Sequence, residues 1–176
     1  MFNPIYSRPY DHLGQVFGDI AKNLSEDLIV RKSVAEDVLM LNVREEQKDT
    51  FDTKDPDLVI RTHAWISQLT PMHYAIFYKN ELMLLVNIMP LMCGTAEISF
   101  LVDKAFVNSN RLAKVKVIRL FHICLRELPF RRVEAKVKDT FEIGRNFVEK
   151  LGMEQEGVLR KYGPSNDYIM YSLIKE

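Results

Sequence analysis

Few side chains in this chain of 176 residues stand where chemistry is easy to place. Glu97 is the clearest, a carboxylate alone in the β-branched and aromatic run from Thr95 to Val102. A strand glutamate can face solvent or pair with a neighbouring lysine. Beside an apolar channel it would instead lose hydration, and the rise in pKa would suit a general base. A second place is Asn108-Ser109-Asn110-Arg111-Leu112, just ahead of a helical pattern. Amides at a helix start point outward and favour anions, and Arg111 and Lys114 add positive charge there. Tyr162, Tyr168 and Tyr171 offer hydroxyls, although strand tyrosines commonly serve as half-buried packing residues.

No metal site is expected. His12, His63, His73 and His122 show no ligand spacing with Cys93 or Cys124 and read as surface residues of helices or strands. The two cysteines cannot form a disulfide framework or a four-thiolate site. Cys124, between Phe121 and Leu125, reads as core.

The elements that must position these groups follow from periodicity. Leu13, Val16, Phe17, Ile20 and Leu24 form a helical stripe over 11–24, with Asp11 as its cap and Gly14 and Gly18 as weak points. Leu28 to Arg31 reads as a strand. Ser33 and Glu36 make a capping box for a helix with Val34, Val38, Leu41 and Glu45 on one line. Asp49 to Asp57 is a polar loop, and Asp57 to Leu69 a second helix stopped by Thr70-Pro71.

His73–Tyr78 and Leu82–Met89 flank a turn at Lys79-Asn80-Glu81 and form a hairpin. Thr95–Val102 is a third strand. Leu112, Val115, Ile118, Phe121 and Leu125 predict a long helix that ends before Pro129. Arg132–Val137 is a strand, 139–151 a helix closed by Gly152, and Val158–Lys161 pairs with Asp167–Ile174 across Gly163-Pro164.

With 47% hydrophobic residues and 27% charged ones, the chain can build one sizeable core, which excludes wholesale disorder. Met1 to Tyr10 has no apolar signal-like core and no window is apolar enough for a membrane span. The expectation is a cytoplasmic protein, or one within a phage particle. Net charge is zero, but residues 1–100 hold 14 acids and 9 bases while 101–176 hold 10 acids and 15 bases. The basic excess lies in 111–138, from Arg111 through Arg131 and Arg132 to Lys138. Such a block either faces phosphates or an acidic partner, nucleic acid included, or is a solvated helix face matched by the acidic stretch from Glu36 to Asp57.

The element order, and local sequence over about residues 28 to 174, resemble the GNAT superfamily of N-acetyltransferases. Arg132-Val133-Glu134-Ala135-Lys136-Val137 looks like the family's fifth strand. Glu149-Lys150-Leu151-Gly152-Met153 and Glu156-Gly157-Val158-Leu159-Arg160 look like its turn after the fourth helix and its sixth strand. Ile98 to Phe106 looks like the fourth strand running into the acyl-coenzyme A loop, and Tyr168 to Leu173 like the last strand. The resemblance implies an α+β fold: a mixed sheet of about six or seven strands flanked by helices. The GNAT-like domain would span 26–176, and residues 1–25 would be a helical N-terminal extension.

It also implies acetyl-CoA as cofactor and an amine as acceptor, on a protein N-terminus, a lysine or a small molecule. In such enzymes the fourth and fifth strands splay apart and main-chain groups bond the pantetheine amides; Leu101 and Val102 match that position. The pyrophosphate cradle, normally Gln/Arg-x-x-Gly-x-Gly/Ala, reads here Val107-Asn108-Ser109-Asn110-Arg111-Leu112. Asn110 tolerates the left-handed backbone of the missing glycine. Ala96-Glu97-Ile98-Ser99-Phe100 resembles the histone-acetyltransferase branch, in which the glutamate deprotonates the substrate ammonium. The tyrosine that often protonates the departing thiolate is Val148 here; Tyr162, Tyr168 and Tyr171 are available elsewhere, with Tyr162 the candidate general acid, and an often-present asparagine is Phe141. Two readings follow. One is an acetyltransferase with an atypical cofactor loop. The other is a non-catalytic GNAT-fold module, such as a phage virion component, that meets an assembly partner through its N-terminal extension or the basic 111–138 block.

Overall fold

A computed structural model describes residues 10–42, 47, 61, 72–163 and 166–176. The expected loop over 49–57, the expected helix over 57–69 apart from Arg61, His63 and Pro164 lie outside the described residues. Among the described residues seven strands form one sheet in the order β1-β2-β3-β4-β5-β7-β6. They are β1 (Leu28–Lys32), β2 (His73–Tyr78), β3 (Glu81–Pro90), β4 (Thr95–Val102), β5 (Arg132–Lys138), β6 (Glu154–Leu159) and β7 (Tyr168–Ile174). The helices are α1 (Asp11–Leu24), α2 (Ala35–Met40), α3 (Lys104–Asn108), α4 (Arg111–Glu127) and α5 (Glu142–Lys150). This is the expected mixed sheet flanked by helices. Every strand pair is antiparallel except β4 with β5. A parallel neighbour requires a crossover, and α3 and α4 supply it.

Helix α1 repeats apolar residues every fourth position. Leu13, Phe17 and Ala21 are all buried and join the main core with Tyr74, Leu120 and Leu125. The described part of the segment read as an extension, residues 10–25, therefore packs into the same core as the sheet. Gly14 permits this approach, since a Cβ there would lie 3.3 Å from the Tyr74 ring. Asp11 does not cap the helix. Tyr10 holds the cap position without a side-chain bond, and Asp11 sits in the first turn, where its charge favours the helix dipole.

The Ser33–Glu36 box is not formed either. Helix α2 starts one residue later, at a Val34 cap, so Asp37 takes the third helical position. Its carboxylate accepts from the Val34 N–H at 2.8 Å and from the Arg31 guanidinium fork at 2.7 and 2.5 Å.

Helix α4 is as long as predicted, but a different face is buried. Ala113, Val117, Leu120, Phe121, Cys124 and Leu125 turn inward, while Leu112 and Val115 are 59% and 51% exposed. The expected stripe stepped by three residues, which loses phase at about 100° per residue. Leu112 thus ends half a turn away from Phe121.

Strand β6 begins earlier than expected, pairing Glu154 with Ser172 through to Leu159 with Tyr168. Helix α5 stops where predicted. Gly152 is left-handed (φ +86°) and donates to Glu149 O, while Met153 N–H reaches back to Val148 O.

Strands β2 and β3 are buried on both faces, so their second face has its own core of Val38, Leu41, Ala75, Leu82, Leu85 and Leu101. His73, which opens β2, is therefore buried (1% exposed) rather than on the surface. Burial pushes its pKa down to about 4, with Asp37 opposing that shift.

Candidate active site at the β4–β5 opening

Strands β4 and β5 pair only over Thr95–Arg132, Ala96–Val133 and Glu97–Glu134. Beyond Glu97 they part, and a cavity of about 450 Å³ opens between them. Ile98 and Phe100 of β4, Ala135 and Val137 of β5, Ile118 of α4 and Phe147 of α5 wall it. The aromatic part is held by edge-on contacts from Phe100 to Phe121 at 5.3 Å and to Phe147 at 5.2 Å.

One side of the opening is a stretch of β4 that β5 no longer pairs. Asp103 N–H donates to Met83 O at 2.9 Å. By alternation, Leu101 turns its main chain to β3, while Phe100 O and Val102 N–H turn to the opening. Leu101 pairs with Leu85, and its side chain belongs to the second core. Of the two residues matched by resemblance, Val102 thus presents its amide to the opening, and Phe100 supplies the other group. Both are taken by one side chain: Gln47 Nε2 donates to Phe100 O at 3.0 Å, and Gln47 Oε1 accepts from Val102 N–H at 3.1 Å.

The other side is the start of α4. Asp103 accepts from Ala105 N–H at 2.7 Å and from Asn42 N–H at 2.6 Å, tying α3 to the residues after α2. Asn108 ends α3, and Ser109 Oγ donates to Phe106 O at 2.7 Å. Asn110 is extended (φ −67°), not left-handed, and caps α4 by accepting from Ala113 N–H at 2.9 Å. A helix begun from the extended region has no use for a left-handed residue, and the capping carboxamide takes one of the outward amides. Arg111 and Leu112 are exposed and do not line the cavity, whereas Lys114, Lys138 and Lys150 do.

Glu97 lies at the last paired position, where the strands begin to part. Lys136, from the same face of β5, donates to its Oε2 at 2.5 Å. The carboxylate is 23% exposed and the lysine 17%. Burial pulls Lys136 down, but Glu97 and Tyr162 outweigh it, so its pKa lies above the ordinary lysine value. The pairing with a neighbouring lysine is thus realised; Lys136 lines the cavity, whereas Glu97 is not among the lining residues.

Next to it Arg132 binds Glu134 at 2.6 Å and Glu156 at 2.8 Å, and Ser172 Oγ donates to Glu156 at 2.7 Å. Arg132 first, then Ser172, hold the Glu156 carboxyl down at about 2.

Tyr162 stands outside the cavity wall. It is 53% exposed, edge-on to Tyr168 at 5.3 Å, with Lys136 Nζ 5.2 Å from its ring centre. Tyr168 is the tyrosine that lines the cavity; it sits at the buried start of β7, whereas Tyr162 lies in the turn before it. Val148 is a buried wall residue with no proton to give. Phe141 lies against Gly144 so closely that a Cβ at Gly144 would be 2.4 Å from the ring.

The basic block divides between paired and exposed side chains. Lys116 bonds Ser25 Oγ at 2.7 Å, Arg132 and Lys136 hold carboxylates, and Arg111, Arg119, Arg126 and Arg131 are exposed. Among the described residues no three His, Cys, Asp or Glu side chains converge as a metal site. Burial pushes the Cys124 thiol up to about 12. Two site residues escaped sequence reading. Lys136 left a trace, since it shares the Glu134 face by strand alternation. Gln47 left none.

No helix among the described residues is long and apolar enough to cross a membrane. No family model matches the sequence, and no curated protein matches it. Solved structures do. A GNAT-family acetyltransferase from Bacillus anthracis is similar with a TM-score of 0.66 at 16% identity, over 85% of this chain and 96% of that one. An acetyl transferase from Salmonella typhimurium, described as modifying the N-terminal serine of the ribosomal protein L7/L12, gives 0.62 at 17% identity over 87% and 98%. The microcin C7 self-immunity acetyltransferase MccE, in complex with acetyl-CoA and AMP, gives 0.61 at 17% over 86% and 94%. The seven-stranded mixed sheet flanked by helices is the fold of the GNAT acetyltransferases.

Proposed function

We propose that this chain is an acetyl-CoA-dependent N-acetyltransferase. Its cofactor would lie in the β4–β5 opening, and its amine acceptor would arrive on the face that carries Glu97 and Lys136. The observation that carries this reading is the parting of β4 from β5 immediately after Glu97, which leaves an apolar cavity beside an unpaired strand edge.

The residues present fit such a cofactor. Phe100 O and Val102 N–H offer one acceptor and one donor to an extended, amide-bearing arm. Lys114, Lys138 and Lys150 favour phosphates at the cavity. The bound cofactor supplies an acyl group activated as a thioester.

This chain's residues do the rest. Ile98, Ile118 and Phe147 keep water from the reacting carbonyl, which suppresses hydrolysis. An ammonium must lose a proton before its nitrogen can form the new amide bond. Glu97 is the carboxylate at the point of opening, and Lys136 fixes its position. Transfer would form the C–N bond and break the C–S bond, with Glu97 accepting the amine's proton and passing it to solvent. Val148 has no proton for a departing thiolate, so that proton would come from solvent. The carboxylates of this face, Glu97, Glu134 and Glu156, suit a cationic acceptor.

The test is a thermal titration with acetyl-CoA. A ligand at a hundred times its Kd stabilises by about 2.7 kcal/mol, so the melting temperature should rise at millimolar cofactor. No rise at that concentration overturns the reading. The absence of an acid at Val148 favours a second reading, a module that binds the cofactor without turnover. A thermal shift with no acetylation of any amine would select it.

A further inference from the structure

The Gln47 carboxamide is where a cofactor arm would be, and this inference rests on the acetyltransferase reading. A parallel neighbour to β4 at Leu101 would place its N–H on Phe100 O and its C=O on Val102 N–H. Strand β5 plays that part between Thr95 and Glu97 and has moved away by this point. Gln47 supplies both missing partners from one primary amide, whose N–H and C=O lie side by side, at 3.0 and 3.1 Å. The residue is 7% exposed, and each of its polar head atoms has a bond to β4. It also lines the cavity itself.

The pantetheine arm of coenzyme A carries two amides, and so offers the same kinds of group, N–H donors and C=O acceptors. Phe100 O and Val102 N–H cannot serve both partners in full. We infer that Gln47 is a built-in competitor for the pantetheine arm: it satisfies the β4 edge when no cofactor is bound and must leave it when cofactor enters. Affinity for coenzyme A is then set partly by the cost of breaking two hydrogen bonds inside the protein. That cost falls only on ligands with an amide arm.

The experiment is calorimetric titration of the full chain, Gln47→Ala and Gln47→Glu, with coenzyme A and separately with its nucleotide half, which has the phosphates and none of the amides. Alanine removes the competitor. Glutamate keeps its size and can accept from Val102 N–H but cannot donate to Phe100 O, so it guards against a folding defect in the smaller variant. Gln47→Ala should bind coenzyme A about tenfold more tightly than the unaltered chain, the worth of roughly two net hydrogen bonds, and Gln47→Glu, which keeps one of the two, by a smaller factor of about three. Both should bind the nucleotide half unchanged. Equal or weaker binding of coenzyme A by both variants overturns the competitor and leaves the acetyltransferase reading standing. An equal gain for the nucleotide half also overturns it, because the effect would not belong to the arm. If none of the three proteins binds coenzyme A, the reading falls and takes the competitor with it.

Discussion

The two sides of the β4–β5 opening would meet the proposed cofactor by different means. At the strand edge the groups on offer are main-chain, Phe100 O and Val102 N–H, and almost any side chains would leave them in place. At the start of α4 the offer depends on residue type, and here Asn110 has turned its carboxamide onto Ala113 N–H. The first side keeps its recognition chemistry through wide changes of sequence because the sheet topology creates it. The second is rewritten by a single residue. A cradle that looks altered in sequence therefore says little about the strand edge beside it.

The largest expected effect comes from filling the cavity between the strands. Ile118 is half-buried on the cavity wall, so Ile118→Trp should fold. It should weaken acetyl-CoA binding on the order of a hundredfold, or about 2.7 kcal/mol, and abolish the thermal shift. An unchanged shift would show that the ligand does not enter between the strands.

Next is Glu97→Gln. It removes the proton acceptor and should lower the acetyl-transfer rate roughly a hundredfold, with acetyl-CoA affinity little changed. A rate within a factor of about two of the original would sink the assignment.

Asn110→Ala probes the helix side. Losing the cap should cost about 1 kcal/mol in a denaturant melt, while acetyl-CoA affinity holds or rises because Ala113 N–H is released. A clear loss of affinity would make Asn110 a ligand in its own right, and the two sides would be more alike than they look.

The smallest effect lies away from both, at Glu156. Its folded pKa of about 2 is below its ordinary 4.5, so its contribution is complete above pH 4.5 and is lost as pH falls towards 2. With its side chain 34% exposed, solvent screening limits this to at most about 1 kcal/mol. Glu156→Gln should flatten that part of the stability profile in a melt series across this window.

Much of the fold was legible because it rests on short-range physics. Gly152 ends α5 because only a residue that accepts positive φ closes that turn cheaply. The hairpin of β2 and β3 shows in two apolar runs around Lys79-Asn80, both of which take positive φ. Errors arose where phase or context decides. Leu112 and Val115 looked inward because an apolar residue on an exposed helix face reads like a core residue. His73 looked superficial because a lone histidine gives no sign that both faces of its strand will be covered. Of the site, Glu97 was visible as the one carboxylate in its strand. Its partner Lys136 is 39 residues away and is brought there by the crossover.

The sequence by itself determined the order of strands and helices, the α+β class and the residue types at the opening, because periodicity and capping are local properties. The tertiary structure decided which strand edge stays unpaired, which tyrosine reaches the cavity, and that Gln47 occupies the β4 groups. These depend on where β5 leaves β4 and on contacts between residues 53 and 55 positions apart, which no local pattern encodes.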